Sequence, residues 1–190
     1  MRIANPTPIL KSKSRILRPI ECRALIDAIP KPEHKTLFEV CLYTGCRICE
    51  IRALKECPEW FDGRFIKLCV GEAVHKHKIV NKDRWVRLNP VGRMAVRAYL
   101  MLDMNLPSNV TWRLNLRRWA RYADISEDGL SAKCLRKTWE SWLAFYYPDR
   151  VLEIIMSQGH TEKICVQHYL NLPFTEDDRK QMTEFVDGWI

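Results

Sequence analysis

A short strand-like block interrupts a chain whose other segments are spaced like helices. Residues 64–70 follow a two-residue turn and are mostly apolar, and residues 84–88 alternate between polar and apolar positions, as strands do. Before and after this block, apolar residues recur every three to four positions, as they do on the buried side of a helix. We therefore expect an α+β fold that is mainly α-helical, with a small antiparallel sheet on one side.

The sheet is expected to have three strands. Residues 60–61 form the first, because an Asp62-Gly63 turn of the type found in hairpins follows them. Residues 64–70 and 84–88 supply the other two strands. Helices are predicted at residues 20–28, 33–43, 46–57, 91–104, 111–123, 131–145, 149–157, 161–170 and 175–188.

Basic residues exceed acidic residues by eight. The chain of 190 residues carries 31 Lys and Arg against 23 Asp and Glu, a formal net charge of +8. Such a charge favours double-stranded DNA or another nucleic acid as the partner, because cationic side chains displace counterions from phosphates. A charge that serves only solubility is the alternative.

One predicted helix carries a cationic stripe. Arg113, Arg117 and Arg121 recur every four residues on one face, and no acid stands four positions away from them. We expect this stripe to contact DNA phosphates, with an ordinary solvated helix face as the alternative.

The N-terminal segment is also basic. Residues 1–19 contain no acid and three prolines, which disfavours a packed helix. They are interpreted as a basic arm or linker in which Lys11, Lys13 and Arg15 contact DNA, or as a solvated terminus.

Several protein classes are not expected. No stretch approaches 18 uninterrupted apolar residues, so neither a membrane span nor a secretion signal is predicted. The eight cysteines lie mostly in apolar patterns, which is typical of reduced thiols and indicates a cytoplasmic protein. No metal or other cofactor is expected, because the pair Cys46 and Cys49 has no second cysteine pair to complete a zinc site.

Four short motifs follow one another along the chain. They are Thr44-Gly45-Cys46-Arg47-Ile48-Cys49-Glu50, a lysine-bearing hairpin, Lys133-Cys134-Leu135-Arg136, and Gly159-His160 followed by Tyr169. His160 lies 24 positions after Arg136 (160 − 136), and Tyr169 lies 9 positions after His160 (169 − 160). In order and spacing the set resembles the catalytic domain of the tyrosine recombinases, the phage-integrase family, over residues 20–190.

The resemblance implies a metal-independent enzyme that recombines or integrates DNA. Members of that family cut a strand with a tyrosine, hold its end as a 3′-phosphotyrosine and rejoin it to another strand. Negative charge builds up on the phosphate during the attack, and arginine forks can neutralise it. By motif match Arg47 and Arg136 take this role, with Glu50 supporting Arg47.

The resemblance also implies the nucleophile. Tyr169 matches the tyrosine that attacks, whereas Tyr146 and Tyr147 are rivals that stand out of register before Pro148. His160 matches the residue that donates a hydrogen bond to the scissile phosphate.

Two lysine assignments are less direct. Lys78 is matched to the hairpin lysine that protonates the leaving oxygen, but its spacing from the next strand leaves Lys76 and Lys82 open. Lys133 stands where most members have histidine, a replacement that resembles some archaeal virus integrases. Its proton-acceptor role is therefore open, with phosphate binding as the alternative.

The resemblance further implies an assembly on DNA. Family members pass a C-terminal helix to a neighbouring protomer, so residues 175–190 are expected to be exchanged within a tetramer, with folding back onto the same chain as the alternative. Residues 1–19 are not expected to form the family's separate N-terminal core-binding domain. A catalytically impaired DNA-binding module and a type IB topoisomerase-like relaxing enzyme are the alternative functions.

Overall fold

The computed structural model describes residues 7–69, 83–159 and 172–190. These ranges form eight α-helices and four short strands around a shared apolar core. The helices are α1 (Pro19–Ala28), α2 (Pro32–Thr44), α3 (Ile48–Glu56), α4 (Pro90–Met101), α5 (Asn109–Tyr122), α6 (Cys134–Tyr146), α7 (Val151–Gln158) and α8 (Glu176–Val186). The strands are β1 (Ile9–Lys11), β2 (Ser14–Ile16), β3 (Phe65–Leu68) and β4 (Arg84–Arg87). The expected α+β, mainly helical class is confirmed, and the helix predicted at 161–170 lies outside the described residues.

Helices α2 and α6 form the centre of the molecule. Both contain large apolar side chains that are completely buried, among them Phe38 and Leu42 on α2 and Trp139 and Trp142 on α6. The indole of Trp139 meets the ring of Tyr43 edge to face, with centroids 5.7 Å apart. This close packing fixes the end of α2 against the start of α6.

The second hairpin is smaller than the sequence suggests. Strands β3 and β4 pair antiparallel, with Phe65 opposite Arg87. Before them, residues 58–60 form a 3-10 turn, and the expected first strand is reduced to a single bridge between Phe61 and Ile66. The Asp62 carboxylate accepts hydrogen bonds from the backbone of residues 64 and 65 and so closes the turn at once. Within the described ranges this sheet therefore has two strands instead of three.

The N-terminal segment differs from the expected arm. Strands β1 and β2 form a hairpin, and Ile16 and Leu17 are fully buried against the rest of the chain. The Leu17 backbone N–H donates to Thr138 Oγ1 at 2.9 Å, and the Leu17 carbonyl accepts from Trp142 Nε1 at 2.9 Å. Residues 9–17 are thus an integral part of the domain, because they complete the surface of α6.

The C-terminal helix packs against its own chain. Its apolar residues are buried and include Met182, Phe185 and Val186, followed by Trp189. The Phe185 ring lies 4.9 Å from the ring of Trp142 on α6. The single chain therefore covers these residues itself, which is the arrangement given above as the alternative to exchange with a neighbouring protomer. No helix in the described ranges is both long and apolar enough to cross a membrane.

Candidate functional site

The site is built on the corner between α2 and α3. Helix α2 ends at Thr44 and is capped by Gly45, whose φ of 59° is a left-handed conformation that glycine adopts readily. A Cβ at this position would lie 2.5 Å from Gln158 Oε1 and 2.9 Å from Trp139 Cδ1. Only glycine therefore lets α6 and α7 approach the corner this closely. The chain then turns so that Arg47 becomes the N-cap of α3.

Arg136 joins three elements beneath this corner. It lies in the first turn of α6 and is buried. Its Nη1 donates to the Gly45 carbonyl at 2.8 Å, its Nη2 donates to the Gln158 carbonyl, and its Nε pairs with Glu140 at 2.9 Å. These contacts fix the plane of the guanidinium next to the segment that carries Arg47.

A buried carboxylate connects Arg47 to another arginine. Glu50 is 2% exposed, and its Oε1 accepts from Arg47 Nη1 at 2.8 Å. Its Oε2 accepts from the Arg47 backbone N–H at 2.7 Å and from Arg84 Nη2 at 2.9 Å. Burial alone would raise the pKa of Glu50, but the charge and hydrogen bond of Arg84, with the backbone hydrogen bond of Arg47, lower it to about 2. The carboxylate is therefore ionised at neutral pH, while Arg47 remains 46% exposed.

Arg84 was not identified as a site residue from the sequence. It lies on β4, and its guanidinium also donates through Nε to the Ser157 carbonyl at 3.3 Å. The alternation of the strand could have identified it, because Arg84 lies on the same face as Val86 and Leu88, which are both buried. An arginine in register with core residues indicates a buried ion pair, and Glu50 is its partner.

Comparison with known proteins identifies the fold of this chain. No family model and no curated protein sequence matches this chain. Among solved structures, the XerA recombinase is similar, with a TM-score of 0.61 and 21% sequence identity over 95% of this chain. The chain has a tyrosine recombinase-like fold. It covers 65% of the XerA chain, and identity at this level extends to the fold alone.

Within the recombinase-like fold, the predicted catalytic and supporting residues fall into two groups. Arg47, Glu50 and Arg136 meet at the α2–α3 corner, and Lys133 is exposed at the N-cap of α6, one turn before Arg136. The others lie outside the described residues: Lys76, Lys78, Lys82, His160 and Tyr169. Helix α7 ends at Gln158, whose carbonyl Arg136 contacts, and Gly159 caps it.

The rival tyrosines lie away from this corner. Tyr146 stands ten residues after Arg136 (146 − 136), about 15 Å along α6. The Tyr147 hydroxyl donates to the Val186 carbonyl at 3.0 Å, and the Tyr146 hydroxyl contacts Thr183 at 3.3 Å. Both side chains therefore serve the packing of α8 and do not lie beside the guanidinium of Arg136.

The other three tyrosines in the described ranges are also poor candidates for the nucleophile. Tyr43 and Tyr99 are buried in the core, and burial raises the pKa of both hydroxyls. Tyr122 is exposed at the end of α5, three residues after Trp119, whose ring contacts His34 in the first turn of α2. His34 is ten residues from Thr44 (44 − 34), so this end of α2 lies about 15 Å from the corner.

The arginine stripe is exposed along α5. Arg113, Arg117 and Arg121 all face solvent. Arg121 has an acidic neighbour that the four-residue spacing did not reveal, since its Nε pairs with Glu127 at 3.0 Å. Because α5 meets α2 near its first turn through Trp119, the structure does not bring the end of the stripe at Arg121 to the α2–α3 corner.

The N-terminal hairpin corrects one predicted DNA contact. Lys13 is exposed in the turn, and Lys11 is half-buried. Arg15 is 1% exposed and pairs with Glu21. The Arg15 side chain therefore forms a buried ion pair with Glu21 and is not available to a DNA phosphate, because the hairpin packs it inward. Among the described residues, no group of three or more His, Cys, Asp and Glu side chains could hold a metal ion.

Proposed function

We propose that this chain cleaves and rejoins double-stranded DNA through a 3′-phosphotyrosine on Tyr169, as the catalytic domain of a site-specific recombinase or integrase. The observation that carries the proposal is the meeting of Arg47 and Arg136 at one corner, from two helices far apart in sequence. That corner occurs in a fold similar to the XerA recombinase.

The two arginines suit the electrostatics of phosphoryl transfer. Charge that develops on the non-bridging oxygens is stabilised best by donors that are already oriented before the reaction. Arg136 is held on three sides, whereas Arg47 is exposed enough to meet a DNA backbone. A guanidinium also keeps its proton at any working pH and presents two parallel donors to phosphate.

The remaining catalytic roles are assigned by the motif order. We propose that Tyr169 attacks, that His160 donates a hydrogen bond to the phosphate, and that Lys78 protonates the leaving oxygen, with Lys76 and Lys82 as alternatives. Exposed Lys133 is proposed to bind the same phosphate, with proton acceptance as the alternative role. The positions of Tyr146 and Tyr147 support Tyr169, since both rivals contact α8.

Contacts with the rest of the DNA are part of the same proposal. Exposed Lys13 and the stripe Arg113, Arg117 and Arg121 are suited to backbone phosphates away from the cleaved bond. We also propose self-association on DNA, up to a tetramer. If α8 is exchanged in that assembly, it must first leave the core that it covers in the single chain.

A nicked suicide substrate tests the proposal. Wild-type protein is expected to form a covalent protein–DNA band on a denaturing gel, because the nick lets the product strand diffuse away and traps the intermediate. Tyr169→Phe should remove the band and leave DNA affinity within about twofold of wild type, while the control Tyr146→Phe should keep it. A band that persists in Tyr169→Phe contradicts the nucleophile assignment.

The same assay separates the alternative functions. DNA binding without any covalent band would identify a catalytically impaired DNA-binding module. A covalent band with relaxation of supercoiled plasmid, but without strand exchange between two sites, would identify a topoisomerase-like enzyme.

A further inference from the structure

The carboxylate of Glu50 pairs with two arginines, of which one is buried and the other is partly exposed. Arg84 is buried beside it, with Nη2 2.9 Å from Oε2, and is itself held by the Ser157 carbonyl. A Cβ added at Gly159 would lie 2.8 Å from Arg84 Cδ, so the side chain is also confined by the end of α7. Arg47, which binds Oε1, is 46% exposed.

This difference in exposure between Arg47 and Arg84 affects how Arg47 can bind a phosphate. Arg47 binds Glu50 through Nη1, so it can present both Nη1 and Nη2 to a phosphate only if Nη1 turns away from the carboxylate. If Arg47 were the sole counter-ion, that movement would leave a buried anion without a partner, which is strongly unfavourable. With Arg84 in place, the carboxylate keeps a charged hydrogen-bond donor throughout.

We infer that Arg84 is a positioning residue, which neutralises Glu50 so that Arg47 can exchange the carboxylate for a DNA phosphate. The inference rests on the proposed function for the identity of the phosphate ligand. Arg84 itself touches neither phosphate nor nucleophile in this scheme.

Three arginines and one thiol face Glu50, and none of them is expected to change its charge between pH 5 and pH 8. Arg47 faces it from α3, Arg84 from β4 and Arg136 from α6. The Cys46 thiol at the corner also faces it, and burial raises the pKa of that thiol to about 11, so it stays neutral below pH 8. Glu140 on α6 also interacts electrostatically with Arg84, but it keeps its own partner in Arg136. Between pH 8 and pH 5, Glu50 is thus the carboxylate of this described cluster that loses a hydrogen-bonded arginine if Arg84 is removed.

The first arm of the test needs no DNA. Melting temperatures are measured for Arg47→Ala, Arg84→Met and the double variant. Arg47→Ala alone should lower Tm by no more than about 3 °C, because Arg84 still pairs with Glu50. In the Arg84→Met background, the same change should lower Tm by at least twice as much. Equal losses in both backgrounds would overturn the shared-carboxylate arrangement.

The second arm measures affinity for a short DNA duplex at pH 7.5 and pH 5. Relative to wild type, Arg84→Met should bind about tenfold more weakly at pH 7.5, since Arg47 is then retained by Glu50. At pH 5 the ratio should move back toward one, because Glu50 without Arg84 has a raised pKa and takes up a proton. The double variant Arg84→Met/Glu50→Gln should bind within about threefold of wild type at both pH values.

Controls separate positioning from a purely structural role. Arg15→Met removes the buried pair of Arg15 with Glu21 and should lower Tm without a pH-dependent change in relative DNA affinity. If Arg84→Met does not fold, Arg84→Lys replaces it and should keep at least a third of wild-type affinity at pH 7.5, since the charge remains.

The outcomes also separate this inference from the proposed function. An affinity ratio for Arg84→Met that stays near one, or a loss that neither acid nor Glu50→Gln reverses, would overturn the inference. Wild-type protein that binds DNA without a covalent band would contradict the proposed function, and the affinity ratios would still decide the role of Arg84. If the wild-type protein does not bind the duplex, both the proposed function and the role of Arg84 in DNA binding are wrong. The melting temperatures then still test whether Arg47 and Arg84 share Glu50.

Discussion

At the scale of single residues, the site depends on side chains that have very little space. Gly45 has no room for a methyl group, and its carbonyl is an acceptor for Arg136. Glu50 is buried with both oxygens occupied. Such positions couple stability to function, because a change in volume or charge moves the arginines that the corner presents.

Replacing Gly45 tests this close approach. Gly45→Ala should lower the free energy of unfolding by about 2–5 kcal/mol, the sum of left-handed strain and overpacking against Gln158 and Trp139. Gly63→Ala is the matched control, since its φ is also positive at 93° but the nearest atom to an added Cβ is Arg97 Nη2 at 3.7 Å. The control should lose only about 1–2 kcal/mol in urea unfolding. Equal losses would show that the close contact is unimportant.

At the scale of elements, polar side chains join pieces that are distant in sequence. Asn89 is the N-cap of α4, and its Oδ1 accepts from the Gly92 N–H at 2.8 Å. Its Nδ2 donates to the carbonyl of Phe185 at 2.7 Å and to that of Asp187 at 3.3 Å. One side chain therefore starts α4 and holds the end of α8.

Substituting Asn89 separates these two tasks. Asn89→Asp keeps the capping oxygen but removes the donor and places a charge beside two carbonyls, so a loss of about 2–4 kcal/mol is expected. Ser108→Ala at the exposed cap of α5 removes a cap alone and should lose about 1 kcal/mol. Chemical denaturation measures both. If Asn89→Asp loses no more than Ser108→Ala, the contacts with α8 contribute little.

At the scale of the whole molecule, both ends of the described chain close over α6. Leu17 from the N-terminal hairpin bonds to Thr138 and Trp142, and Phe185 from α8 packs on Trp142. The stability of the domain therefore depends on segments that the sequence predicted to be a basic arm or linker and a C-terminal helix that is either exchanged or folded back.

Truncation after Pro173 tests the role of α8 in the single chain. The deleted segment carries four buried apolar side chains, Met182, Phe185, Val186 and Trp189. At about 1.5–3 kcal/mol each, their burial approaches the whole stability of a typical domain. The truncated chain should thus lose its cooperative thermal transition.

Deletion of Ile190 alone is the control, because this residue is 55% exposed and should change stability by about 0.5 kcal/mol or less. Sedimentation of the full chain without DNA should give a monomer. A truncated chain that still melts cooperatively, or a full chain that is oligomeric without DNA, would contradict packing of α8 on its own chain.

Much of the local structure could be predicted from sequence patterns. The predicted helices at 91–104 and 111–123 correspond to α4 (Pro90–Met101) and α5 (Asn109–Tyr122), since their apolar residues have helical spacing and prolines or polar caps mark their ends. The motif order also brought Arg47 and Arg136 into one hypothesis before any coordinates. The prediction of strand 60–61 was wrong, because a proline-initiated 3-10 turn competed for the same residues.

Periodicity along the chain determined which residues face inward and which elements form, because those depend on neighbours three or four positions away. Only the tertiary structure decided which basic residues are buried partners and which are exposed. Arg84 meets a carboxylate 34 residues distant, and Arg136 meets a carbonyl 91 residues distant. Arg15 and Lys13 are two positions apart, yet one is enclosed and the other is solvated, since burial of a charge depends on a partner that folding alone brings near.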